Sequence, residues 1–184
     1  PGAFKRCKEM DVNIINHKEF TSRLEDGSAA DAAVVVLFNS RQTLTKEQRE
    51  AFRTMLQNDT GLVVLHHAII AYPEWPQFYE MLGGRYFLNK GQWKGETYGK
   101  SGFKHGVDMQ VKVAHDDHPI TRGLKDFTVH DETYRDMWVD PDNRVLLTID
   151  HETADPELMW VRKWKGARVA YVQPGHGSSV YGQK

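Results

Sequence analysis

The chain has 184 residues, and its 24 basic and 25 acidic side chains leave a formal charge of -1, so no net field draws it onto a polyanion such as nucleic acid. That length can bury a core without cross-links, and a single domain is the expectation. The one cysteine, Cys7, excludes an internal disulfide and every multi-cysteine metal site, so any metal would rest on His, Asp or Glu.

Residues 11–16 (DVNIIN) and 32–38 (AAVVVLF) are short, rich in β-branched side chains and bounded by polar turns, which predicts strands. The second is apolar throughout, as a strand covered on both faces would be, and points to a parallel sheet. A helix follows: Thr45 and Gln48 have capping-box spacing, and Ala51, Phe52, Met55 and Leu56 recur at helical intervals up to a stop at 58–61. The strand expected over 61–65 (GLVVL) completes a βαβ unit. Neither apolar run approaches the roughly 20 residues that cross a bilayer, so no membrane span is expected.

A short helix is expected over 73–82, ended by the Gly83–Gly84 pair. Beyond it the rhythm changes. Residues 109–114, 144–149, 158–164 and 167–173 read as strands joined by turns, a partly antiparallel extension of the sheet. Residues 89–108 combine five glycines, four lysines and three aromatics and read as a mobile loop or hairpin, a candidate lid. Within them Gly95-x-x-x-Gly99-Lys100-Ser101 is one residue short of the phosphate-binding spacing and lacks a flanking helix, which argues against a nucleotide site.

In an open α/β sheet ligands bind at the carboxyl ends of the strands, so polar residues directly after an apolar run carry the interest. His66 and His67 follow Gly-Leu-Val-Val-Leu, where the nucleophile elbow of a hydrolase or amidotransferase would fall, yet no Cys or Ser stands there. The competing reading is a histidine that caps the strand beside a solvated neighbour. His130-Asp131-Glu132-Thr133-Tyr134 sets base, acid and phenol groups on consecutive positions that alternate in direction, so only some can face one pocket. His176 is framed by Gly175 and Gly177 after the strand pattern at 168–172, and the glycines let the backbone turn while presenting the ring. Asp116-Asp117-His118-Pro119-Ile120-Thr121 reads as a structural turn.

Taken in order, Gly61-Leu-Val-Val-Leu-His66-His67-Ala68, Phe78-Tyr-Glu-Met-Leu-Gly83-Gly84, His118-Pro-Ile-Thr-x-Gly123-Leu124, Asp131-Glu132-x-Tyr134, Trp160 and Gly175-His176 resemble the ThuA-like (trehalose-utilisation) family, from about residue 34 to 176. The resemblance implies a flavodoxin-like α/β fold of the class I glutamine amidotransferase type: a mostly parallel sheet flanked by helices, with the antiparallel extension in its second half. His66 then stands where amidotransferases carry their cysteine, so cysteine-based glutamine hydrolysis is not expected. The resemblance further implies one ThuA-like domain over 1–184 that begins inside the family's first helix, around Cys7, and lacks the family's first strand and C-terminal helix. The compartment, cytoplasmic or exported, stays open.

Members of the family are associated with the metabolism of trehalose and other disaccharides, alongside enzymes that oxidise glycosides to 3-keto sugars. The expectation is an enzyme acting on a disaccharide or 3-keto-glycoside by isomerisation, elimination or hydrolysis. Its catalytic group would be His66, Glu132 and His176, with His67, Trp93, His130, Asp131 and Tyr134 binding the sugar and Trp93 covering it from the 89–108 loop. A histidine or carboxylate of near-neutral pKa suits proton removal beside a ketone. A divalent metal on His66, Glu132 and His176 is the one cofactor to consider, since two histidines and a carboxylate leave positions for substrate oxygens. The competing class is a non-catalytic carbohydrate-binding or assembly domain. A homo-oligomer is left open.

Overall fold

A computed structural model describes residues 10–177 and 180, so the helical segment expected around Cys7 lies outside the described residues. Residues 11–16 form no strand, contrary to the sequence reading. The Asn16 side chain accepts from the Glu19 backbone N–H and the Glu19 carboxylate accepts from the Asn16 N–H, both at 3.0 Å. This reciprocal capping box commits the segment to opening helix α1 (His17–Asp26) rather than to a ladder. Strand β1 (Val34–Leu37) forms as expected but at the edge of its sheet. Val34 and Val36 are 42% and 37% exposed while Leu37 is buried, so one face of the apolar run is packed and not two. Valines suit a pleated strand at an edge as well as at a centre, and composition could not tell the two apart.

Helix α2 (Lys46–Gln57) opens on the expected Thr45–Gln48 capping box and buries Phe52, Met55 and Leu56. Strand β2 (Gly61–Leu65) then pairs parallel to β1. Helix α3 (Pro76–Leu82) starts with Pro76 in its first turn, where a missing N–H costs nothing, and ends on Gly83 at φ 71°. A Cβ at Gly83 would overlap Arg162 and Asn143, and one at Gly84 the Trp160 ring. The Gly83 carbonyl accepts from Asn143 Nδ2 (2.6 Å) and the Asp140 N–H (3.0 Å), and the Leu82 carbonyl accepts from Trp160 Nε1 (2.8 Å). The glycine pair is thus where the second half of the chain docks on the first.

The remaining strands are β3 (Gly84–Arg85), β4 (Gly91–Trp93), β5 (Glu96–Tyr98), β6 (Gly102–Val113), β7 (Phe127–Arg135), β8 (Trp138–Val139), β9 (Arg144–Ile149), β10 (Glu157–Trp164) and β11 (Ala167–Val172). Seven strands make one mixed sheet in the order β1-β2-β11-β10-β9-β6-β7, parallel across β1, β2 and β11 and antiparallel through the rest. That division matches the change of rhythm in the sequence. One core packs the helices on β2, β10 and β11 around Phe52, Phe78, Trp160 and Tyr171; a second gathers Met109, Leu146 and Leu158 from β6, β9 and β10. Among the described residues no helix is long and apolar enough to cross a membrane.

The segment 89–108 is a hairpin but not a free lid. Trp93 is only 8% exposed, packed against Tyr79 and Trp138 with the Arg85 guanidinium over its ring, and Tyr98 stacks on Phe87. From Gly102 onward the chain is already in β6. This strand pairs with β9 only through Val111–Val113, whereas its pairing with β7 reaches back to Gly102, so much of the β6–β7 ribbon extends past the sheet. A register shift between Lys104 and Val107, with Gly106 at φ 67°, interrupts that ribbon and strengthens its bend. The ribbon folds so that the interior of β7 meets the carboxyl ends of β2 and β11.

Candidate functional site

Val172 of β11 is the register partner of Leu65 of β2, so the residues that follow, Gln173 and His66, leave the sheet side by side. His66 is fully buried and holds φ at 50°, a left-handed conformation that a bulky side chain rarely adopts. Two contacts hold it there: its Nδ1 lies 2.6 Å from the Gln173 carbonyl, and Tyr171 Oη donates to its own carbonyl at 3.3 Å. A carbonyl can only accept, so Nδ1 carries a hydrogen and Nε2 faces the other way. Around Nε2 stand Glu132 Oε2 at 2.9 Å, Tyr134 Oη at 3.0 Å and His176 Nδ1 at 3.3 Å. Glu132 Oε2 is also 3.4 Å from His176 Nδ1, and Glu132 Oε1 is 3.0 Å from His105 Nδ1.

The Asp131 carboxylate accepts from the backbone N–H groups of Gly175 (2.5 Å) and His176 (3.2 Å) and so clamps the Gly-His turn. Burial opposes ionisation of Glu132, but hydrogen bonds from His66 and Tyr134 and the nearby His66 and His176 outweigh it and hold the carboxyl below its ordinary value. It is a carboxylate at neutral pH. Burial, then Tyr171 and Glu132, push the Tyr134 phenol far above its ordinary range, so it stays a donor. Burial, with His66 and His176 close by, pushes half-buried His67 down, which leaves it neutral. His105 and His176 are half-exposed, which opens the cluster to solvent on their side. A concavity of about 760 Å³ between α1 and α2 shares no residue with this cluster.

The family model described as ThuA, trehalose utilisation, matches residues 3–184. The chain belongs to the ThuA family. The fold recurs in solved structures: a ThuA-like protein from Parabacteroides merdae is 20% identical with a TM-score of 0.74, over 96% of this chain and 72% of that one. One from Bacteroides uniformis is 22% identical with a TM-score of 0.72, over 99% of this chain and 76% of that one. A cytoplasmic protein from Salmonella typhimurium LT2 has the fold at 9% identity and a TM-score of 0.67, over 98% of this chain and 78% of that one. No curated protein was found to be similar.

In this ThuA-family chain the fold brings together His66, Glu132, His176 and Tyr134, all named from the sequence, with Asp131 behind them as the clamp. His67 lies at the margin, its ring 4.6 Å from exposed Phe38 at the end of β1. Two expected residues are not at the cluster. His130 points to solvent and pairs with Asp108 at 2.7 Å: it shares a face of β7 with Glu132 and Tyr134, but it lies on the far side of the register shift, where that face is open. Trp93 is core, because the hairpin folds its aromatic face inward. His105 was missed: it lies within the glycine-rich stretch that reads as a loop, and only the β6 register shift sets it against Glu132. His105-Gly106 was a signal of sorts, since it repeats the His176-Gly177 pattern. The turn at 116–121 is structural as read, with buried Thr121 donating to the His115 carbonyl.

Proposed function

We propose that this chain is a carbohydrate-modifying enzyme acting on a disaccharide or 3-keto-glycoside through proton transfer beside a carbonyl, without a cysteine nucleophile. The carrying observation is convergence. His66, Glu132 and His176 come from three separate segments, yet their polar atoms meet within 3.4 Å of one another. A buried carboxylate among histidines, on a strained strand-end backbone, is what acid–base chemistry requires and what a merely stable fold would avoid.

In the proposed step a histidine of the cluster takes the proton from the carbon next to the ketone. The electron pair moves onto the carbonyl oxygen, and the Tyr134 phenol supplies a hydrogen bond to that oxyanion. Reprotonation at the former carbonyl carbon, with the hydroxyl proton of the adjacent carbon passing to the oxyanion, gives isomerisation; re-formation of the carbonyl with expulsion of the glycosidic oxygen, which takes the proton back from the histidine, gives elimination. Two exposed aromatic faces flank the cluster, Phe38 beside His67 and Phe103 beside His105, with ring centroids 4.6 and 5.1 Å apart. They, rather than Trp93, are the surfaces on which the apolar face of a sugar ring can rest.

The test is to incubate the pure protein with a panel of 3-keto-disaccharides and their parent sugars. Turnover that disappears in Glu132→Gln supports the reading. Saturable binding without turnover would make the chain a binding module, and neither binding nor turnover would remove the sugar.

A further inference from the structure

We infer that His66 Nε2, Glu132 Oε2 and His176 Nδ1 form a divalent-metal site of the two-histidine, one-carboxylate type. With His66 Nδ1–H committed to the Gln173 carbonyl, Nε2 is the ring nitrogen left to coordinate, and it faces a Glu132 carboxyl oxygen at 2.9 Å and a second imidazole nitrogen at 3.3 Å. Facing lone pairs repel unless a cation lies between them. A shared proton bridges one pair; one metal ion satisfies all three atoms.

The spacing is that of a coordination sphere. Ligand atoms about 2.0–2.2 Å from an ion sit roughly 2.8–3.6 Å apart, from the octahedral to the tetrahedral angle. The three edges here are 2.9, 3.3 and 3.4 Å. A triangle of ligands on one side leaves the other side of the ion open, toward the half-exposed flank of His105 and His176. The outer contacts fit as well. His66 donates its second ring N–H to a backbone carbonyl, the other Glu132 oxygen is held by His105, and Asp131 fixes the His176 backbone. The mixed nitrogen and oxygen donors suit Zn²⁺, Mn²⁺, Fe²⁺ or Co²⁺ rather than Ca²⁺ or Mg²⁺. Such an ion would polarise a ketone oxygen and chelate an adjacent hydroxyl, with His105, held by Glu132 and not a ligand, left as the base of the proposed reaction; the site itself does not rest on that proposal.

The test is metal binding measured without any sugar. Protein stripped with chelator and dialysed is titrated separately with Zn²⁺, Mn²⁺ and Co²⁺, read by calorimetry, by melting temperature and, for Co²⁺, by visible absorption. One ion per chain is expected, with a melting temperature that rises with ion concentration. His176→Ala, at a half-exposed position where folding is little disturbed, should weaken binding by at least about tenfold, as should Glu132→Gln. His130→Ala, away from the cluster, should leave binding unchanged. Absence of binding by all three ions, or equal binding in His176→Ala and Glu132→Gln, overturns the inference. Binding without sugar turnover would remove the proposed reaction and leave the metal; turnover undiminished in chelator would do the reverse.

Discussion

Two buried polar clusters in this fold look alike in composition and differ in how their atoms face. Around the Gly83–Gly84 turn every contact pairs a donor with an acceptor: Asn143 and Asp140 donate to the Gly83 carbonyl, Trp160 to the Leu82 carbonyl, and Arg162 to both Asp140 (3.1 Å) and Asn143 (3.0 Å). Around His66 the polar atoms of Glu132 and His176 face the same ring nitrogen, on a backbone at positive φ. Buried polarity alone therefore marks neither region as functional. The first cluster holds two halves of the chain together; in the second, several polar groups crowd one nitrogen.

That contrast can be broken by substitution. Glu132→Gln and His176→Ala should each lower sugar turnover by at least about 100-fold, the usual scale for losing an acid–base group, with the melting temperature nearly unchanged. If activity survives either, the His66 cluster is as structural as the glycine turn. Gly84→Ala should behave oppositely, since its methyl group meets the Trp160 ring. We expect a stability loss of about 1–3 kcal/mol by denaturant unfolding, with turnover per folded molecule intact.

Asp131→Asn sharpens the comparison, because Asp131 is paired with two backbone donors and serves the crowded cluster. Weakening the charge-assisted bonds to Gly175 and His176 should lower kcat about tenfold with little change in KM, as expected when a clamp and not a contact is lost. A pure rise in KM would instead place Asp131 against the substrate. The smallest effect is expected for Phe103→Ala, a KM increase of about threefold to tenfold at constant kcat, equivalent to an aromatic contact of about 1 kcal/mol. No change in KM would mean that the sugar does not reach that face.

How much of this was legible depended on whether the signal was local. Helix α2 announced itself through Thr45 and Gln48, and His66 and His176 through the strand end and the framing glycines, all within a few residues of themselves. The Asn16–Glu19 capping box was equally local, and outweighs the β-branched Ile14 and Ile15 that suggested a strand. What the sequence could not convey was the path of the β6–β7 ribbon. Glu132 and Tyr134 reach His66 from the interior of a strand four places from β11 in the sheet order, through a fold-back and a register shift that no short pattern encodes. The same long-range geometry admits His105 and leaves His130 outside, although both are histidines on one ribbon. Trp93 fails for a related reason: an aromatic in a glycine-rich hairpin fits a lid or a core equally well until the hairpin is folded down.

The central claim is that the His66 cluster removes a proton beside a sugar ketone, and exchange in D2O tests it before any product is known. Wild-type protein incubated with a 3-keto-disaccharide in D2O should place deuterium on the carbon adjacent to the carbonyl, read by loss of that proton signal in NMR, and Glu132→Gln should slow the exchange at least about 100-fold. Exchange no faster than in buffer, or equally fast in the variant, would contradict the account.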